Sequence, residues 1–347
     1  MNLNLIKRLH ELLGSSYQDE KELLLRLKNL ISDSDYQNLA PTESKDMSVL
    51  IQESLELLKN GVQEKNLIKT GFTDFDNTFG GFSYGEFIVI GARPAMGTTQ
   101  LLVNLAIKIS AKNPLLFFTF DLSDIALSSR FIANVTDISS HRILENKLYN
   151  SEKDKLALLT GMFDVHKVFV NDSVSNSVTA LKMHCQKRIE EDNVKVIVVD
   201  CIQMMSSNRY RNNRELEIGY ISRELKGIAR DFNVCVIASS QLSRAVETRS
   251  YPNRPILTDL RESGAIEQNA DKVIFLYRPD YYGAKTDGEG NNAAGIAELI
   301  IAKNRNGLLG AVKIKRNADF TNFHDFEDYE GDFSFDRNRL DELDEVF

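Results

Sequence analysis

Short apolar runs alternate with segments of helical periodicity through the middle of the chain. Runs that predict buried strands are Phe87–Ile90, Leu115–Phe120, Val168–Val170, Val194–Val199, Val234–Ser239, Lys272–Tyr277 and Ile296–Ile301. Apolar positions at helical spacing predict helices at Gln100–Ile109, Ser123–Thr136, Ser177–Glu190 and Glu215–Phe232. Continuously apolar strands that alternate with helices predict an α/β fold, in which a mostly parallel sheet is covered on both faces.

The first 65 residues have a different pattern, with three short amphipathic segments and polar connections. They predict helices at Leu5–Leu13, Asp19–Ile31 and Met47–Lys59. Such a segment is too small to form a strong core of its own, so we expect an arm that packs on the main domain or on a neighbouring subunit. The predicted organisation is a helical arm (1–65), a core domain (66–324) and a tail (325–347).

The net charge of −8 is concentrated at one end of the chain. Residues 325–347 carry ten acidic and two basic side chains, which is −8, so residues 1–324 are neutral overall. A neutral body remains compatible with nucleic-acid binding through a local basic patch. The acidic tail is interpreted either as a partner-binding peptide or as a solubilising end.

The remaining composition is that of an ordinary globular protein. The three cysteines, Cys185, Cys201 and Cys235, are scattered, and no histidine forms a metal-ligand spacing with another histidine or with a cysteine. No apolar run approaches the length of a membrane span, and the N-terminus lacks the apolar core of a signal peptide. We expect a cytoplasmic protein with free thiols, no structural zinc and no membrane association.

A glycine loop follows the run Phe87–Ile90 and opens the predicted helix at Gln100. It reads Gly91-Ala-Arg-Pro-Ala-Met-Gly97-Thr98-Thr99. Strand, glycine loop and helix form the setting of a P-loop, whose backbone N–H groups surround a polyphosphate and whose final hydroxyl holds Mg²⁺. Thr99 supplies that hydroxyl, but Thr98 stands where the pattern has lysine. Arg93 is the nearest substitute cation, and the alternative interpretation is a glycine turn without a ligand.

Three polar side chains follow predicted strands, where ligands of a parallel sheet bind. Asp200 could hold Mg²⁺ through water, although a carboxylate there is often only a turn residue. Asp121 is the candidate general base that orients the attacking water, or alternatively a helix cap. Gln241 could contact the γ-phosphate of a bound nucleotide.

Two polar segments are candidates for nucleic-acid contact. Arg209, Arg211 and Arg214 surround Tyr210, which suits phosphate contacts with one stacking surface; the alternative is a solvated loop. The segment Leu260–Gln268 places a glycine among polar side chains. Further along, Lys303 and Arg305 lie two residues apart after an apolar strand, where both could reach into a neighbour's nucleotide site.

The region of about 67–324 resembles the C-terminal motor domain of the DnaB-type replicative DNA helicases. The resemblance runs through Thr70-Gly-Phe-Thr-Asp-Phe-Asp76, Gly91-Ala-Arg-Pro94, Phe120-Asp-Leu-Ser123, Asp200, Ser240-Gln-Leu242, Asp259-Leu-Arg-Glu-Ser-Gly-Ala-Ile-Glu-Gln268 and Lys303-Asn-Arg-Asn-Gly307. It implies a RecA-like fold, ATP and Mg²⁺ as cofactors, and single-stranded DNA in the channel of a hexameric ring that acts in DNA replication.

The same resemblance implies roles for individual residues. Asp200 matches the Walker B aspartate and Gln241 the sensor glutamine. Arg261, Glu262 and Gly264 match the DNA-contacting loop. Lys303 and Arg305 match the pair that a subunit donates to its neighbour's ATP.

Three departures from the family pattern bear on activity. Thr98 replaces the P-loop lysine, Asp121 stands in place of the catalytic glutamate, and the N-terminal region is short and has no alignment to the family's collar domain. The leading hypothesis is a DnaB-like ATP-dependent helicase in a homohexamer or mixed ring, with slow or absent hydrolysis. The alternative is a paralogue without catalysis that serves as an accessory or loading subunit of an active helicase.

Overall fold

A computed structural model describes residues 46–59, 67–159, 166–172, 176–207, 209–210, 212–249, 252–260, 264–286, 290 and 292–326. The chain divides into two compact units, Met1–Glu64 and Lys65–Phe347. The predicted helices Leu5–Leu13 and Asp19–Ile31 and the tail beyond residue 326 lie outside the described residues.

The first unit contains the helix α1 (Met47–Lys59), which confirms the third predicted helix. Asp46 precedes it and accepts a hydrogen bond from the Ser48 amide at 2.7 Å. An aspartate in this position satisfies one of the N–H groups that the first turn of a helix leaves without a partner.

The second unit is built on a nine-stranded sheet. Its strands are β3 (Phe87–Ala92), β4 (Leu115–Thr119), β5 (Val168–Asn171), β6 (Val196–Asp200), β7 (Cys235–Gln241), β8 (Lys272–Tyr277), β9 (Ile296–Asn304), β10 (Gly310–Arg316) and β11 (Phe323–Asp325). Their order is β11-β10-β9-β8-β3-β7-β6-β4-β5. The strands from β8 to β5 in this order are parallel, and β9, β10 and β11 continue the sheet antiparallel. The predicted α/β class with a mostly parallel sheet is confirmed.

Helices cover both faces of this sheet. The helices of this unit are α2 (Thr73–Phe79), α3 (Thr98–Ser110), α4 (Asp124–Thr136), α5 (Ser140–Leu144), α6 (Asn150–Leu158), α7 (Val178–Asp192), α8 (Arg214–Asp231) and α9 (Gly264–Asn269). A separate two-stranded sheet pairs β1 (Leu67–Ile68) with β2 (Phe82–Ser83). Residues of α2, α3 and α4 share one apolar core, and residues of α7, α8 and α9 share the other.

The alternation of side chains along β3 explains why the strands read as continuous apolar runs. Ile88 and Ile90 belong to the first core, whereas Phe87 and Val89 belong to the second. Successive side chains of a strand point to opposite faces, so a strand buried on both faces needs an apolar residue at every position. The polar ends of these strands then lie together at the two edges of the sheet.

Candidate functional site

The predicted P-loop connects β3 to α3 at the carboxyl edge of the parallel strands. Ala95 (φ +63°) and Gly97 (φ +95°) turn the chain back into the helix. A Cβ added at Gly97 would make only ordinary van der Waals contact with the Phe323 ring, at 3.4 Å, so the positive φ is what favours glycine here. The first N–H groups of α3 have no partner within the helix, which creates a binding site for anions.

Gly91 lies within β3, before the loop turns. A Cβ at this position would lie 2.8 Å from Cδ1 of Phe275 and 3.1 Å from Cδ2 of Leu242. The missing side chain is therefore explained by packing against the neighbouring strands. Its predicted part in nucleotide binding stays a prediction.

Thr99, Asp200 and Ser239 meet beside the loop. Oγ1 of Thr99 donates to Oδ2 of Asp200 at 2.6 Å, and the Ser239 hydroxyl donates to Oδ1. Burial raises the pKa of Asp200, against the opposing effect of the two hydroxyl donors. One hydroxyl and one carboxylate suit Mg²⁺ that also binds phosphate oxygens. Within the described ranges no group of three or more His, Cys, Asp and Glu could hold a metal ion.

Arg93 is buried and engaged on the far side of the loop. Its Nε lies 2.7 Å from Oε1 of Glu247, and its Nη1 donates to the carbonyl of Leu242 at 2.7 Å. These contacts fix the start of the loop to the segment that follows β7. To replace the missing lysine at a phosphate, Arg93 would have to give up these hydrogen bonds.

Arg130 of α4 is a cation that sequence reasoning missed. It lies on the helix face that also carries Leu127 and Asn134, both buried. Burial lowers the pKa of Arg130, and the neighbouring carboxylates of Asp200 and Asp121 only partly offset that effect. Its guanidinium makes no hydrogen bond or close ion pair with another residue that the structure describes. A largely buried cation without such a partner beside a P-loop is available to a phosphate.

Asp121 lies two residues beyond β4 and is exposed. The alternative interpretation of this residue, a helix cap, is wrong because Ser123 caps α4: its hydroxyl accepts the Ala126 amide at 3.2 Å. The Asp121 charge acts on both Asp200 and Arg130. Gln241 is the last residue of β7, as predicted, so the carboxyl edge brings together the loop, Asp121, Asp200 and Gln241.

A second group missed by sequence reasoning supports the loop from the other side. Phe320 packs against the guanidinium groups of Arg278 and Arg316, whose Cζ atoms are 4.1 and 3.8 Å from its ring centroid. Arg278 also donates to the carbonyl of Ala95 at 3.2 Å, and burial lowers its pKa to about 10. Asp280 accepts from both arginines. The only sequence signal was a cation directly after β8.

Lys303 and Arg305 lie at the opposite edge of the sheet. The Arg305 amide donates to the carbonyl of Asp271 at 2.9 Å, and its Nη2 donates to the carbonyl of Gln268 at 2.7 Å. Lys303 donates to the carbonyl of Glu267. Lys303 and Arg305 lie beside the start of β8, where Lys272 pairs with Ile88 of β3. The P-loop begins four residues further along β3, which is a distance of roughly 13 Å. That separation exceeds the reach of either side chain within one subunit.

The predicted DNA-contacting residues are only partly described. Arg209 is exposed, with Cζ 5.4 Å from the centroid of Tyr220. Arg214 donates to the carbonyls of Gln203 and Met205 and to Glu217, and so holds the start of α8 against the preceding turn. Gly264 is the first residue of α9. Arg211, Arg261 and Glu262 lie outside the described residues.

A P-loop at the carboxyl edge of a mostly parallel sheet, with a hydroxyl of the following helix paired to a carboxylate at the end of β6, defines a RecA-like P-loop protein. Residues 68–325 match the family model for the DnaB-like helicase C-terminal domain. The chain belongs to this family, which confirms the resemblance.

Relatives of this chain are replicative DNA helicases. It is 36% identical to the replicative DNA helicase DnaB of Geobacillus stearothermophilus over 82% of its length and 62% of that protein's. It is 39% identical to a probable replicative DNA helicase of Trieres chinensis, over 75% of this chain and 57% of that protein. The chain therefore spans about three-fifths of the length of these relatives.

Solved structures give the same grouping. One solved ATPase domain superposes with a TM-score of 0.74 at 29% identity, covering 82% of this chain and all of that one. A DnaB-like replicative helicase, described with its interactions with primase, superposes with a TM-score of 0.72 at 26% identity, covering 94% and 76% of the two chains. Across the described part of the chain, no helix is long and apolar enough to span a membrane.

Proposed function

We propose that this chain is a subunit of a DnaB-like ring that binds ATP with Mg²⁺ and single-stranded DNA and acts as a replicative helicase with slowed ATP hydrolysis. The observation that carries the proposal is the 2.6 Å hydrogen bond between Thr99 and Asp200 beside the Gly97 turn. In P-loop proteins this pair of groups holds the metal that accompanies the nucleotide. The relatives are named as replicative DNA helicases, and the proposal assigns that activity to a ring built from this chain.

The residues at the carboxyl edge would divide the work at the nucleotide. Thr99 and Asp200 would hold Mg²⁺, which when bound neutralises charge on the β- and γ-phosphates. Asp121 would orient the attacking water, and Gln241 would contact the γ-phosphate. Arg130 would supply a positive charge in a site that has lost its P-loop lysine, because its desolvated guanidinium makes no hydrogen bond or close ion pair with the described residues.

The opposite edge would complete the site of the next subunit. Lys303 and Arg305 lie too far from their own P-loop to assist it, so their charges would act across a subunit interface, as arginine fingers do. Head-to-tail assembly that closes on itself gives a ring. In such a ring the Lys303 and Arg305 end of each subunit faces the P-loop end of the next. Single-stranded DNA would contact Arg209 and Arg211 and the segment that contains Arg261, Glu262 and Gly264. Arg214, whose guanidinium is held by the Gln203 and Met205 carbonyls and by Glu217, would position the end of this loop.

Thr98 and Asp121 support the second candidate, an accessory or loading subunit in another helicase's ring. Both departures lie in one site, and the effects of residues that act as a unit are not additive. The combined loss of hydrolysis rate therefore lies between the loss caused by one substitution and the sum of the two losses. Native mass spectrometry separates the candidates. A homohexamer supports the first, and a monomer that joins the ring of a second helicase supports the second.

The decisive experiment measures DNA-stimulated ATP turnover by the wild type and by Thr98→Lys, each with and without Arg305→Ala. Restoring one positive charge at the phosphates is expected to raise turnover by about 10²-fold. Arg305→Ala should abolish turnover in both backgrounds, whereas the exposed Arg230→Ala serves as the matched control. If both backgrounds bind ATP but stay silent, the motor proposal fails and the accessory subunit replaces it.

A further inference from the structure

The side chain of Gln203 bridges the ends of two neighbouring strands. It lies in the short turn Ile202–Met204 that follows β6. Its Nε2 donates to the hydroxyl of Ser240 at 2.9 Å, and its Oε1 accepts from the backbone amide of Gln241 at 3.1 Å. One amide therefore holds the last two residues of β7, which include the side chain proposed to contact the γ-phosphate.

The main chain of Gln203 is held from the opposite direction. Nη2 of Arg214 donates to the Gln203 carbonyl at 2.6 Å, and Nη1 of Arg214 donates to the Met205 carbonyl at 3.1 Å. Arg214 also pairs with Glu217 at 2.6 Å, and Glu217 accepts from the amide of Ser207 at 2.6 Å. These contacts enclose the beginning and the end of the segment proposed to contact DNA.

A continuous path of hydrogen bonds thus runs between the two proposed ligand sites. It passes from Gln241 to the Gln203 side chain, through the Gln203 main chain to Arg214 and Glu217, and on to Ser207. The Ser207 hydroxyl accepts from the amide of Arg209 at 3.1 Å, which brings the path to an exposed cation of the DNA segment. Both ends of the Gln203 side-chain amide are used, so a shift of β7's end must move the turn that carries it.

We infer that Gln203 is a positioning residue that couples nucleotide binding at Gln241 to DNA binding by the Arg209–Arg214 segment. The inference rests on the proposed function and names one route by which its two ligands affect each other. Coupling between sites is reciprocal, so ATP raises the affinity for DNA by the same factor by which DNA raises the affinity for ATP. Gln203 changes that factor without touching either ligand.

The test measures the coupling factor directly and does not need hydrolysis. A fluorescently labelled oligothymidylate is titrated with the full-length protein, with and without saturating Mg²⁺ and the non-hydrolysable analogue AMP-PNP. The ratio of the two dissociation constants is the coupling factor. Gln203→Met keeps a side chain of similar length but removes both hydrogen bonds. We expect the wild-type ratio to exceed about five and the ratio of the variant to fall to within about twofold of one.

A matched control acts on the same turn from the other side. Nδ2 of Asn176 donates to the Met204 carbonyl at 2.6 Å, and its Oδ1 accepts from the Ser206 hydroxyl at 2.8 Å. Asn176→Leu removes the same number of amide hydrogen bonds without touching β7, so it should keep the wild-type coupling factor. Ser240→Ala removes one of the two hydrogen bonds of the Gln203 side chain. As a single variant it should lower the coupling factor, and combined with Gln203→Met it should cause no further change.

The outcomes separate the inference from the proposed function. A wild type that binds neither the analogue nor the oligothymidylate overturns the proposed function itself. If the wild type couples the two ligands and Gln203→Met does so equally, only the inference fails. Equal loss of coupling in Gln203→Met and Asn176→Leu, with equal losses of melting temperature, also overturns it, because Gln203 would then only stiffen the turn.

Discussion

Arg305 and Thr99 lie at opposite ends of the same parallel strands. Arg305 packs beside Asp271, where β8 begins, and Thr99 lies in the first turn of the helix that follows the end of β3. Because β3 and β8 run parallel, the two residues lie on opposite edges of the sheet. A nucleotide bound at Thr99 can therefore receive the charge of Arg305 only from another subunit.

Mixing two inactive variants should consequently restore turnover. Arg305→Ala subunits keep an intact P-loop side, and Asp200→Asn subunits keep an intact Arg305. In rings formed at random from equal amounts, about one interface in four combines both intact halves. Turnover should rise to at most about a quarter of that of the parent, in the wild-type or Thr98→Lys background. Failure to recover in rings that native mass spectrometry shows to be mixed would contradict the shared site.

Arg130 and position 98 should show strong coupling in nucleotide binding. Arg130→Met removes the cation beside Asp200, and in the wild type it should weaken ATP binding by at least about tenfold, since charged hydrogen bonds contribute about 1.5–3 kcal/mol. In the Thr98→Lys background the new ammonium compensates, so the loss should be smaller by about 1 kcal/mol. Calorimetric titration of all four proteins gives this difference.

The control for that cycle is Arg188→Met on α7, whose guanidinium pairs with Asp192 of the same helix. It should leave ATP binding unchanged in both backgrounds. If Arg130→Met weakens binding equally in the wild type and in the Thr98→Lys background, then Arg130 does not substitute for the missing lysine.

Thr99→Val should remove the metal dependence of nucleotide binding. Valine keeps the shape of threonine but loses the hydroxyl that lies 2.6 Å from Asp200. The rise in melting temperature caused by ATP should be larger in Mg²⁺ than in EDTA for the wild type, and equal in both for the variant. Thr248→Val, which alters an exposed hydroxyl on a surface turn, should retain the difference. A Mg²⁺ effect that survives in Thr99→Val would place the metal elsewhere.

The sequence predicted the parts of this fold that depend on local pattern. Most strands from Phe87 to Ile301 were recognisable because burial on both faces requires unbroken apolar runs. The exception is β5 at the end of the sheet, where Val170 is exposed and the short apolar run alone gave the prediction. Strands β10 and β11 were missed because Gly310–Arg316 alternates lysine with small and apolar residues, and only Val312, Ile314 and Arg316 are buried. Gly310–Arg316 forms a strand because it pairs with β9, and this pairing depends on tertiary structure and not on local sequence.

The same distinction applies to the site. Thr99, Asp200 and Gln241 were predicted because a motif or a strand end identifies each of them. Arg130 was missed because its place near Asp200 depends on the tertiary packing of α4, and the two residues are far apart in the sequence. The one indirect signal in the sequence is the missing P-loop lysine, which leaves a deficit of positive charge that a cation from a neighbouring helix could fill.

Asp280 should stabilise the fold most above its own titration range. Burial raises its pKa, but Arg278 and Arg316 outweigh that effect and hold the pKa below its usual value. A carboxylate whose pKa is lower in the folded state contributes stability above its unfolded pKa and loses it as the pH falls through the folded value. Asp280→Asn should therefore cost about 3 kcal/mol at pH 7, and less below about pH 4.

Urea unfolding followed by circular dichroism at pH 7 and at about pH 2.5, well below the unfolded pKa of an aspartate, checks this difference. The control, Asp192→Asn, breaks a partly exposed ion pair with Arg188 on α7 and should cost less than about 0.5 kcal/mol. A loss for Asp280→Asn that is the same at both pH values would show that hydrogen bonding, and not the carboxylate charge, is what stabilises the Arg278–Phe320–Arg316 stack.

Arg209 should contribute to DNA binding through charge alone. Its side chain is exposed above Tyr220, whereas Arg214 is engaged by the turn at Gln203 and by Glu217. A cation that contacts a phosphate displaces a counterion, so Arg209→Gln should reduce the slope of log Kd against log salt by about 0.7 for single strands. Arg230→Gln, on the exposed end of α8, should leave the slope unchanged. If Arg209→Gln weakens binding by the same factor at every salt concentration, Arg209 instead serves with Tyr210 and Tyr220 as a stacking surface for bases.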